Sequence, residues 1–97
     1  MLKFGPFEFD QARGVLARDG VPIEIKAQGQ TLLSCLLERP GDVVTKTELV
    51  ERVWQGDAVT DHSVTVAIHA LRKLLDDDRR TPRYIQTVHR KGYRFIA

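Results

Sequence analysis

The chain has 97 residues, 42% hydrophobic and 29% charged, with a net charge of +2; this suits one folded domain with a modest core and is too apolar for a disordered segment. No apolar run approaches the about 20 residues of a membrane span, and MLKFGPFEFD lacks the apolar stretch of a signal peptide, so the covered chain is expected in the cytoplasm, whether or not a longer parent is membrane-anchored. Cys35 is the only cysteine, which rules out an internal disulfide and a thiolate metal cage.

Around Phe7 and Phe9 apolar and polar residues alternate, and segments 14–18 and 21–25 flank the turn dipeptide Asp19-Gly20. This predicts a hairpin within a small antiparallel sheet over residues 1–26. Leu32, Leu33, Leu36 and Leu37 fall on one helical face before Pro40-Gly41, which predicts a first helix from Ala27 to Arg39, its first turn weakened by Gly29. Thr45 followed by Glu48 reads as a capping box for a short second helix that ends at Gly56 and carries Leu49, Val50, Val53 and Trp54 on its apolar face. After a few loop residues, Thr60 or Asp61 can cap a third helix over about 61–75. The polar loop DDDRRTP leads to strands YIQTV and YRFIA, joined by HRKG within 83–97. Tyr93, Phe95 and Ile96 are expected to anchor these strands, and Gly92 to let the backbone turn sharply or approach another chain closely. The order sheet, helix, helix, turn, helix, hairpin describes an α+β winged helix-turn-helix, with three helices in 27–75 and a C-terminal β-hairpin wing.

Charge is unevenly distributed. Up to Thr45 acids outnumber bases by one, whereas Arg79, Arg80, Arg83, Arg90, Lys91 and Arg94 run to the C-terminus without an acid, with His89 among them. Such one-sided charge favours an anionic partner, nucleic acid being the commonest, although a solvated strip has the same composition. In the third helix Val64, Ile68, Leu71 and Leu75 form the stripe to be buried, leaving His62, Val66, Ala70 and Lys73 opposite and His69 at the margin. An outward valine among small and polar neighbours suits a thymine methyl in the major groove; an isolated surface valine is the plain alternative. Thr65 and Arg72 sit on the helix shoulder, where they could reach a base edge or phosphate, the alternative for Arg72 being a surface ion pair.

Enzyme chemistry finds little support. His62, His69 and His89 lack the i, i+4 spacing of a helical metal pair, and Cys35 lies among leucines as an inert buried thiol would. Ser34 and Ser63 have no nucleophile-elbow context, and no phosphate-cradling glycine loop is present. Asp76, Asp77 and Asp78 lack the glycine-turned loop and distal glutamate of a calcium-binding hand and read as a solvated loop.

The segments RPGDVVTKTELVERVW (39–54), VTVAIHALRKLL (64–75) and RYIQTVHRKGYRF (83–95) together resemble the OmpR/PhoB-type winged-helix DNA-binding domain, and more closely the branch at the N-terminus of ToxR- and CadC-like regulators. The resemblance covers nearly the whole chain. It implies a third helix in the major groove of double-stranded DNA, with Thr65, Val66, His69 and Ala70 at base-facing or groove-wall positions and Lys73 contributing to specificity. It places Trp54, Arg72, Thr87, Gly92 and Tyr93 at backbone-contacting positions, to which the outward His62 and the wing's Arg94 are added. His89, Arg90 and Lys91 become the wing tip towards the minor groove. Two departures stand out: His89 replaces a frequent arginine, shifting the minor-groove assignment to Arg90, and Ala70 replaces another, removing a guanine reader. Loop 55–60 resembles a segment that meets RNA polymerase in some members. The expectation is a cofactor-free, metal-free output domain of a bacterial transcriptional regulator, with no small-molecule substrate, monomeric alone and pairing on tandem half-sites. The alternative is a winged helix that docks RNA polymerase or a regulatory partner.

Overall fold

A computed structural model describes residues 1–55 and 57–97 of the chain. Strands β1 (Leu2–Phe4), β2 (Phe7–Asp10), β3 (Val15–Arg18) and β4 (Val21–Ile23) form an antiparallel sheet in chain order. Between β3 and β4, Arg18 pairs with Val21 across Asp19 and Gly20, whose φ angles of 50° and 80° are the two left-handed residues of a tight two-residue turn. The register sets Phe9 against Leu16, both buried, while Glu8 and Ala17 take the other face. Strict alternation thus gives the sheet one core face.

Helix α1 (Ala27–Glu38) buries Leu32, Leu33, Cys35, Leu36 and Leu37. Helix α2 (Lys46–Val53) starts where expected, with Thr45 Oγ1 accepting from the Glu48 amide at 3.1 Å. The Glu48 carboxylate does not complete a capping box; it pairs with Arg39, and a second pair, Glu38 with Arg52, also ties α1 to α2. The helix stops at Val53 with Trp54 as its C-cap, three residues before the expected end at Gly56, which lies outside the described residues. Between α2 and α3 (Asp61–Leu74) the Asp57 amide donates to the Trp54 carbonyl at 3.0 Å, a turn directly after α2, and residues 57–60 lead into α3. Thr60, not Asp61, caps α3.

Periodicity missed a strand. Val43–Thr45 forms β5 and pairs with β7 (Gly92–Phe95), which in turn pairs with β6 (Ile85–Val88), so the wing belongs to a three-stranded sheet ordered β5-β7-β6. A three-residue strand between a helix stop and a helix cap has too little pattern to stand out locally; only pairing with β7 defines it. Tyr84 lies just before β6, and Ile96 is 40% exposed, so Tyr93 and Phe95 anchor the hairpin while Ile96 does not. Phe4 packs edge-on against Phe95 with centroids 5.2 Å apart and also meets Phe7 and Tyr84, joining the two sheets in one aromatic cluster.

The DDDRRTP loop is more than a solvated linker. The Asp77 carboxylate accepts from the backbone amides of Arg83, Tyr84 and Ile85 at 2.7, 3.3 and 2.9 Å, gathering the chain into β6. Asp78 accepts from the Arg80 amide and the Thr81 hydroxyl, which hold its carboxyl below the usual range.

Candidate nucleic-acid interface

Helix α3 divides as its 3.6-residue period requires. Val64, Ala67, Ile68, Leu71 and Leu75 face the core, and His62, Thr65, Val66, His69, Ala70 and Lys73 are exposed. Val66 is 51% exposed, so it is the large apolar side chain this helix offers outward, beside the small Ala70. The Thr65 hydroxyl donates to the Asp61 carbonyl at 3.0 Å, leaving Thr65 a methyl and an acceptor rather than a free donor.

Between this helix and the wing lies a cleft. Its lining combines Thr65, Val66 and Ile68 with Thr87, Val88 and Tyr93, with the cationic side chains Lys46, Arg72, Arg79 and Arg90, and with the imidazoles of His69 and His89. No carboxylate lines it among the described residues. Lys46 lies 3.5 Å from Asp61 in the first turn of α3, so its charge is shared with that acid. Sequence reasoning left Lys46 and Arg79 out of the site. Lys46 reaches it because β5 carries the start of α2 to the wing, where the Lys46 amide donates to the Lys91 carbonyl at 3.3 Å. Ala70 and Lys73 border a separate apolar groove beside the start of α1, so the exposed face of α3 runs between two concavities.

Other expected site residues are placed differently. Arg72 is neither on the shoulder nor in a surface ion pair: it is 6% exposed, and its Nη2 donates to the Ile85 carbonyl and to Thr87 Oγ1, each at 2.9 Å. Burial pushes its guanidinium below the ordinary arginine value, an effect opposed by Asp77. Gly92 is buried against β5, so the chain it approaches closely is its own. The left-handed residue at the wing tip is instead Arg90, with φ of 63°. Arg94 pairs in register with Val43 and Gln86, and hence lies on the sheet face opposite Thr87 and Tyr93, where its Nε donates to Gln86 Oε1 at 2.9 Å. It does not face the cleft. His89, Arg90 and Lys91 are exposed at the tip, Tyr93 is buried and borders the cleft, and Trp54 is half-buried against the core.

Among the described residues no group of three or more His, Cys, Asp or Glu is placed to hold a metal, and no helix is long and apolar enough to cross a membrane. Cys35 is buried in α1, and burial raises its thiol pKa.

Residues 20–95 match the family described as transcriptional regulatory protein, C terminal. The chain is 40% identical over 96 residues to a cholera toxin homolog transcriptional activator of Vibrio parahaemolyticus, covering 94% of this chain and 33% of that protein. It is 35% identical over 83 residues to the transcriptional activator CadC of Escherichia coli, covering 84% of this chain and 16% of CadC. The chain thus spans a third or less of the length of these two relatives. The RstA DNA-binding domain of Klebsiella pneumoniae, solved in complex with the RstA box, superposes with a TM-score of 0.85 at 29% identity, covering 98% of this chain and 95% of that one. The DNA-binding domain of E. coli CadC superposes with a TM-score of 0.82 at 31% identity, covering 98% and 90%. The chain belongs to the OmpR/PhoB-type family of transcriptional-regulator DNA-binding domains.

Proposed function

We propose that residues 1–97 act as one sequence-specific double-stranded-DNA-binding unit, the output domain of a longer bacterial transcriptional regulator. The observation that carries this is the cleft between α3 and the wing, lined by Lys46, Arg72, Arg79 and Arg90 with His69 and His89 and, among the described residues, by no acid, with Val66 standing outward beside it. Such a surface attracts a polyanion and offers an apolar contact for a base edge. In this reading α3 enters the major groove, with Val66, His69 and Lys73 facing bases and Thr65 and Ala70 at the groove wall. His62, Trp54, Thr87 and Tyr93 approach the backbone, and Arg90, flanked by His89 and Lys91, reaches towards the minor groove. The RstA domain, similar throughout this chain, was solved on its own DNA box, which supports the assignment. Loop 55–60, with Gln55, Asp57 and Ala58 exposed, is the proposed contact for RNA polymerase, and pairing on tandem half-sites the proposed mode of assembly on DNA in the cytoplasm.

Selection of preferred duplexes from random DNA, followed by titration at several salt concentrations, tests the proposal. Enrichment of a defined sequence with affinity that falls steeply as salt rises is expected. Retention of all duplexes alike, or binding indifferent to salt, would overturn it and favour a protein-docking surface.

A further inference from the structure

Arg72 is an expensive residue to bury where it stands. Its Nη2 is fully used by the Ile85 carbonyl and Thr87 Oγ1, yet its Nε–H is buried without an acceptor among the described residues. A charged side chain with an orphaned donor is a poor device for stability, and such groups point to another role. The geometry shows what the guanidinium does to its neighbour. Thr87 is exposed at the cleft wall, its oxygen accepts from Arg72, and its own hydroxyl hydrogen has no acceptor among the described residues. A hydroxyl has one donor and two acceptor positions, so occupying an acceptor position with a cationic N–H restricts the rotor and strengthens the remaining O–H as a donor.

We infer that Arg72 is a positioning residue for DNA binding: it holds β6 against α3 and aims the Thr87 hydroxyl hydrogen into the cleft, ready for a phosphate oxygen, without itself neutralising a phosphate. This rests on the DNA-binding reading above. It differs from a direct phosphate contact in a measurable way. A lysine at position 72 keeps the charge but cannot span Ile85 and Thr87 with one planar group.

Binding to a selected duplex is measured for the parent, Thr87→Val, Thr87→Ser, Arg72→Lys and the Arg72→Lys/Thr87→Val double variant, each across a salt series. Arg72→Lys and Thr87→Val are each expected to weaken binding about fivefold, the double variant by no more than the larger single loss, and the salt slope to stay at the parent value. Serine is expected to rescue most of what valine loses. Parent-like binding by Arg72→Lys, or losses that multiply in the double variant, overturns the inference. So does equal loss with serine and valine, an arm that leaves the Arg72–Ile85 bond in place and does not depend on how well the Arg72 variant folds. A parent that binds no duplex at all would instead sink the DNA-binding reading.

Discussion

A Cβ built on Gly92 would lie 2.0 Å from the carbonyl oxygen of Val44, so β7 approaches β5 as closely as only a glycine allows. The obstacle is backbone, which cannot swing aside as a flexible side chain would. Gly92→Ala is therefore expected to lower the free energy of unfolding by at least the about 1–3 kcal/mol typical of overpacking. Urea unfolding measures this, and a variant as stable as the parent would show that the two strands can part without cost.

Asp77 gathers three backbone amides at the start of β6. Replacing it with alanine leaves the half-buried amides of Tyr84 and Ile85 to find water, at a cost of about 1–3 kcal/mol. The loss should be larger than that from Asp78→Ala, whose carboxylate is fully solvated and serves only the local turn. Equal stabilities for the two alanine variants would refute this ranking.

Glu38 and Arg52 join α1 to α2, and the hydrogen bond from Arg52 holds the Glu38 carboxyl below its ordinary value near 4.5. A lowered carboxylate stabilises the fold above that ordinary value, and the contribution fades as pH falls through the lowered one. With side chains 46% and 45% exposed, solvent screening limits the effect. Glu38→Gln is expected to cost less than about 1 kcal/mol at neutral pH. Unfolding curves for parent and variant should converge in acid below the Glu38 titration; a gap that widens there would reverse the sign.

Arg90 and Arg94 make a contrast within one hairpin. Arg90 lines the cleft, whereas Arg94 is turned to the other sheet face and engaged by Gln86. Arg90→Ala is expected to reduce the log-log salt slope of DNA binding by about one, and Arg94→Ala to leave it unchanged. A reduced slope for Arg94→Ala would place that side chain on phosphate after all.

Val66 is the exposed large apolar side chain of α3. Val66→Ala should relax preference at a single base pair of the selected duplex, by up to about 1–3 kcal/mol of discrimination. Repeating the selection with the variant checks this. Affinity lost evenly over all duplexes, with the preferred sequence intact, would mean that α3 positions the domain rather than reads bases.

The elements with their own periodicity and punctuation are legible in the sequence alone. Leucines at helical spacing in α1, the Val64, Ile68, Leu71 and Leu75 stripe of α3, and the Asp19-Gly20 turn each contain their signal within a few residues. The outward set His62, Val66, His69, Ala70 and Lys73 follows from the same arithmetic, since burying one face of a helix exposes the other. Long-range pairing decided the rest. Strand β5 exists because β7 completes its hydrogen bonds, and with it come Lys46 at the cleft and the need for glycine at 92. The alternation of β7 sends Tyr93 inward and Arg94 outward once its neighbours are known, and Arg72 turns inward because Ile85 and Thr87 supply acceptors thirteen and fifteen residues away. Composition could not sort these arginines: charge and helical phase are local properties, whereas the partner that satisfies a buried donor is brought in by the fold.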